Sequence, residues 1–140
     1  TDVSMINDEI DPNEGTDVQN NAEHLIIPQG AEVYEINGPY FFGIANRFEE
    51  VMRDVENTPK VRIIRMRKVP FIDSTGVHNL SNLCKSCKQK GIQVVLSGVN
   101  EKVMKVLVNA GLDKELGNNN ICAHINGALN RANEILAENK

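Results

Sequence analysis

Two spacings of apolar residues organise this chain. Ile44, Ala45, Phe48, Val51, Met52 and Val55 recur every three or four residues, which predicts a helix with one apolar face, closed by Pro59. Val77, Leu80, Leu83, Cys84 and Cys87 form a second such stripe, stopped by Gly91. A third follows Asn100, a residue suited to capping a helix start, through Val103, Met104, Val106, Leu107 and Ala110, with Gly111 placed as the C-terminal cap. The last helix runs from Ile121 or Cys122 to Leu136 and turns Ile125, Ala128, Leu129, Ala132, Ile135 and Leu136 inward. Between the helices stand short β-rich runs. Val61 to Met66, with adjacent Ile63 and Ile64, suits a central strand buried on both faces, and Ile92 to Leu96 is the next. Leu25-Ile26-Ile27 and Val33 to Ile36 are further strand candidates, the latter ended by Asn37-Gly38-Pro39, and a short strand is expected near Glu115-Leu116. Strands and helices alternate, which predicts an α/β fold with a mostly parallel central sheet, packed helices and right-handed crossovers.

The start of the chain departs from this pattern. Residues 1–21 are dominated by Asp, Glu, Asn and Gly with no sustained period, so they are read as a flexible acidic linker without structure, ahead of a domain at 22–140. The total of 140 residues suits one core and is too short for two. A formal net charge of −4 gives no electrostatic case for a nucleic acid polymer. No charge-free apolar run approaches the roughly 18–20 residues of a spanning helix, and the start is too polar for a signal peptide, so a soluble, unexported chain is expected. Its 3 cysteines lack the dense spacing of a secreted disulfide scaffold and suit a reducing, cytoplasmic compartment. Beginning with Thr rather than Met, it reads as a processed product or a piece of something longer.

In an open α/β sheet, function favours the loop leaving the carboxyl end of a central strand, here Pro70-Phe71-Ile72-Asp73-Ser74-Thr75-Gly76. Asp73 or Ser74 can cap the orphan N–H groups of the following helix, and Gly76 permits close packing or an unusual backbone angle. The same positive helix end stabilises an added dianion, such as a phosphate on Ser74 or Thr75. Beside Asp73 that phosphate adds like-charge repulsion, so a partner docked on the unmodified turn would be expelled.

Phe71-Ile72-Asp73-Ser74-Thr75-Gly76, following Val61-Arg62-Ile63-Ile64-Arg65-Met66-Arg67, resembles the signature of STAS domains, which sulfate transporters and anti-sigma-factor antagonists share. The segment Val33-Tyr34-Glu35-Ile36-Asn37-Gly38-Pro39-Tyr40-Phe41-Phe42-Gly43-Ile44-Ala45 is similar to the SulP transporter branch, with Gly-Pro and then aromatics entering the first helix. The resemblance covers Glu23 to Leu136. It implies the anti-sigma-factor-antagonist-like fold and a non-enzymatic regulatory or interaction domain on the cytoplasmic face of the membrane. There it would be tethered to the transmembrane domain of a secondary transporter for sulfate, bicarbonate or another anion. The alternative it raises is a free-standing phospho-switch of the antagonist type. Carried over by position, the antagonists' phosphorylated hydroxyl falls on Thr75; many members of the transporter branch have no hydroxyl there. A cytosolic regulatory protein or a nucleotide is a further implied partner.

Other groups beside this turn carry candidate chemistry. Cys84-x-x-Cys87 lies mid-helix on the apolar stripe rather than at a helix N-terminus, which favours structural thiols over a redox pair. Cys84, Cys87, Cys122 and His124 have the right ligand types for zinc but an odd spacing for the second pair. Arg62, Arg65, Arg67 and Lys68 form a basic cluster near the turn, read either as a site for a phosphate, nucleotide or lipid headgroup or as solvated strand ends. His24 and His78 have no partner suggesting a dyad, and Lys85, Lys88 and Lys90 read as an exposed helix flank. No residue is assigned a catalytic or metal-binding role, and no cofactor is expected.

Overall fold

The computed structural model describes residues 3–6, 9–10, 17, 25–37 and 58–138. Its strands are β1 (Val3–Ile6), β2 (Glu9–Ile10), β3 (Leu25–Ile26), β4 (Ala31–Asn37), β5 (Val61–Lys68) and β6 (Gln93–Ser97). The helices among the described residues are α1 (Ser74–Gln89), α2 (Glu101–Asn109), α3 (Leu112–Leu116) and α4 (Ile125–Glu138), with a 3-10 turn at Asn118–Asn120. The main sheet runs β1-β4-β5-β6, and β2 pairs with β3 separately. β4, β5 and β6 are parallel, with Val33 opposite Ile63 and Ile63 opposite Val95, while β1 closes the β4 edge antiparallel.

Because successive strand residues point to opposite faces, the sheet has a core on each side. Tyr34, Ile64, Met66, Val94 and Leu96 pack with Leu80, Leu83, Cys84 and Cys87 of α1, Val103 and Leu107 of α2, and Leu112 and Leu116 of α3. Val33, Val61, Ile63 and Val95 pack instead with Ile125, Ala128, Leu129, Ala132 and Ile135 of α4. β5 is buried along Val61–Met66, the central position read from its unbroken apolar character. Where β6 leaves the sheet, Gly98 takes φ +69°, and a Cβ there would stand 2.8 Å from the backbone nitrogen of Arg67. A glycine is needed on both counts.

Three expectations are corrected. The acidic leader is not without structure: β1 adds to the main sheet, β2 pairs with β3, and Asp17 is buried. Its order comes from pairing with distant strands, which a local periodicity does not register. The stretch at Glu115-Leu116 is helical rather than a strand, because Leu112 and Leu116, four apart, both enter the core on one face of a helical turn. Ser81 of α1 holds that turn, its hydroxyl 3.0 Å from both carboxylate oxygens of Glu115. The last helix starts at Ile125, not Ile121 or Cys122, because those two extend the sheet: Ile121 bridges Leu96, and the Cys122 N–H donates to the Leu96 carbonyl at 2.8 Å. The helix expected over Ile44 to Val55, the Gly38-Pro39 part of the expected turn and Tyr40-Phe41-Phe42 lie outside the described residues.

Candidate functional site

β5 ends at Lys68, and the next residues alternate between anchors and exposed groups. Val69 and Ile72 are buried, while Pro70, Phe71, Asp73, Ser74 and Thr75 face outward. The buried pair fixes the loop, so the exposed side chains stand on a rigid base. Asp73 caps α1: its carboxylate accepts from the Gly76 N–H at 2.7 Å and its carbonyl from the Val77 N–H at 2.9 Å. Asp73, not Ser74, is therefore the cap, which leaves both hydroxyls at the positive end of a 16-residue helix and open to solvent. Gly76 is buried with helical backbone and takes no left-handed angle.

Asn100 secures the loop from the other side. Its Oδ1 accepts from the Val103 N–H at 2.7 Å, capping α2, and its Nδ2 donates to the carbonyls of Val69 at 3.3 Å and Pro70 at 3.2 Å. The sequence marked Asn100 as a cap; nothing in it marked the clasp, which spans 30 residues. The Lys102 ammonium lies 5.9 Å from the centre of the exposed Phe71 ring, a cation–π distance. An open groove of about 410 Å³ beside α2 is lined by Val99, Glu101, Met104, Lys105, Ile121 and Cys122.

The basic cluster is not a surface patch. Arg62 faces the α1 side of the sheet, where its Nε donates to Glu32 at 3.2 Å and its Nη1 approaches the Cys87 sulfur at 3.7 Å. Arg65 and Arg67 face the α4 side, Arg65 paired with Asp17 at 2.6 and 2.7 Å and Arg67 with Glu35 at 2.9 and 3.3 Å. Only Lys68 is exposed, and it too reaches Glu35, at 3.3 Å. These charges are spent inside the domain, which corrects both the anion-site and the solvated-end readings. A signal was available: residues 62 and 65 of one strand point to opposite faces, and a strand buried on both faces must pair its arginines.

Cys84 and Cys87 are packed in the core, and Cys122 is half-exposed. Burial, then neighbouring Cys87 and Glu115, pushes the Cys84 thiol up to about 12, opposite to the depression a redox nucleophile needs. Burial also raises Cys122. Cys84 and Cys87 pack on the α1 face of the sheet and Cys122 on the α4 face, so the sheet separates the Cys84–Cys87 pair from Cys122. Tyr34 is raised by burial and by Glu32, whose carboxylate accepts its hydroxyl at 3.0 Å. Among the described residues no helix is long and apolar enough to cross a membrane.

A parallel sheet offering a capped Asp-Ser-Thr-Gly turn at its carboxyl end meets the family expectation, and the match is direct. Residues 24–128 fit the STAS domain family, to which the chain belongs. Within it, this is a STAS domain of the SulP, sulfate-transporter type. It is similar to a sulfate transporter family protein from Wolinella succinogenes, at 43% identity and a TM-score of 0.74, covering 80% of this chain and 92% of that one. It is also similar to the SulP transporter STAS domain of Vibrio cholerae, at 37% identity and a TM-score of 0.71, covering 83% and 90%. The putative sulfate transporter YvdB of Bacillus subtilis is 25% identical over 116 residues, 79% of this chain. The chain spans 22% of that relative's length.

Proposed function

We propose that this domain is the cytoplasmic regulatory and interaction module of a SulP-type secondary anion transporter, one that moves sulfate or bicarbonate. It binds without turnover, and its docking surface is the exposed Phe71 to Thr75 face at the carboxyl end of the sheet. The observation that carries this reading is the anchoring of that face: buried Val69 and Ile72, the Asp73 cap and the Asn100 clasp support a short exposed segment. Preorganised exposed groups lose little entropy on binding. The identities to SulP domains and the small share of a transporter-length relative support a membrane-embedded partner in the same polypeptide.

The exposed Thr75 hydroxyl favours one further element, a phosphate-operated release of that partner, and it keeps the free-standing phospho-switch as the second reading. A nucleotide is a weaker proposed ligand, because the arginines nearest the turn are already paired.

The deciding experiment reads the coding sequence upstream of Thr1 and then binds the domain to whatever it encodes. Long apolar spans upstream, together with binding that Phe71→Asp weakens about tenfold or more, support the transporter reading. A nearby start codon without spans transfers the case to the phospho-switch.

A further inference from the structure

In the acidic leader Asp17 is buried as deeply as the core. Asp17 and Arg65 have side chains only 2% exposed, and the Asp17 carboxylate takes the Arg65 guanidinium in a bidentate pair at 2.6 and 2.7 Å. The backbone of Asp17 is committed too: its carbonyl accepts the N–H of Ile125, the first residue of α4, at 2.8 Å. One residue therefore joins the leader to the central strand and to the start of a helix. Arg65 also lies 3.9 Å from Glu35, but that carboxylate already serves Arg67 and Lys68.

We infer that Asp17 is a latch, which holds the leader strands β1 and β2 onto the domain as a strap and releases both when its ion pair with Arg65 is broken. The strap's other described attachments are short, the 4-residue β1 on the edge of β4 and the 2-residue β2 against β3. Strands of that length hold poorly alone, whereas removing one partner of a buried ion pair leaves an uncompensated charge. The latch thus sets whether β4 has a covered edge and whether α4 has its first N–H satisfied. In the tethered arrangement proposed above, the strap is the connection from the membrane part, and the latch delivers its displacement to β5 and α4. Only that use rests on the transporter reading; the latch itself is a property of the 140-residue chain.

Hydrogen exchange on the intact chain tests it, comparing the parent with Asp17→Asn. Exchange at Val3–Ile6 and at the first turn of α4 should rise by roughly a hundredfold, with β5 and β6 unchanged. Unmoved exchange in the leader overturns the proposal, as does a uniform loss of protection, which would make the pair an ordinary core staple. Should the variant not fold, native-state exchange of the parent in low denaturant decides. The leader must open before β5, and a single common opening overturns the latch. None of these outcomes depends on whether a transporter is attached.

Discussion

Asn100 and Pro70 are joined across the end of the sheet by a 3.2 Å hydrogen bond, from the same side chain that caps α2. The two roles separate by substitution. Asn100→Ala loses both and should cost about 0.5–2 kcal/mol, the range for a lost N-cap, read by urea denaturation. Asn100→Asp keeps an acceptor for Val103 but has no N–H for Val69 and Pro70. It should retain most of the stability while amide exchange speeds up in residues 71–73. Equal exchange in that loop for parent and Asp variant would show that the clasp contributes nothing.

Glu32 is the shared acceptor of Tyr34 and Arg62, and both charged side chains are under a tenth exposed. Glu32→Ala strands a buried guanidinium and should destabilise the domain by about 3–5 kcal/mol. Replacing both partners, Glu32→Leu with Arg62→Met, should recover most of that loss, since an apolar pair of similar volume is often no worse than a buried ion pair. A double-mutant cycle by chemical denaturation gives the coupling directly.

Cys84 links stability to alkaline pH. The unfolded thiol releases its proton near the ordinary 9.0, while the folded one holds it up to about 12. Between these values the folded state carries more protons, so stability present below pH 9 falls as pH rises and the loss levels off above the folded value. Cys84→Ala should flatten that part of the profile. In native protein at pH 8, a thiol reagent should modify half-exposed Cys122 well before buried Cys84 and Cys87.

What was legible in the sequence follows from which interactions are local. The Asp73 turn, the Asn100 cap, the Gly91 and Gly111 stops and the apolar stripes of α1, α2 and α4 rest on neighbours within a few positions, so residue type and spacing reveal them. The two-sided burial of β5 was legible for the same reason. Asp17 and Arg65 stand 48 positions apart, and Glu32 and Arg62 stand 30 apart; no local pattern ties such pairs. Hence an acidic leader looked like linker and a paired ladder looked like a basic patch. The five-residue α3 failed differently, since two leucines four apart are too short a record to separate helix from strand.

Thr75 tests whether the turn is a switch or only a capped helix. Its side chain is exposed, and the Asp73 cap does not use its hydroxyl, so Thr75→Ala should change stability by less than about 0.5 kcal/mol. Thr75→Asp brings a charge favoured by the helix end but opposed by Asp73, and the two effects should leave the fold similarly intact. Any change in partner binding is then a surface effect. If docking uses this face and a phosphate regulates it, Thr75→Asp lowers affinity at least about tenfold while Thr75→Ala leaves it near the parent value. Equal affinity for all three would remove phosphorylation at Thr75 from the mechanism and leave Phe71 and its neighbours as a constitutive contact. Loss with Ala as well would mean that the hydroxyl itself touches the partner.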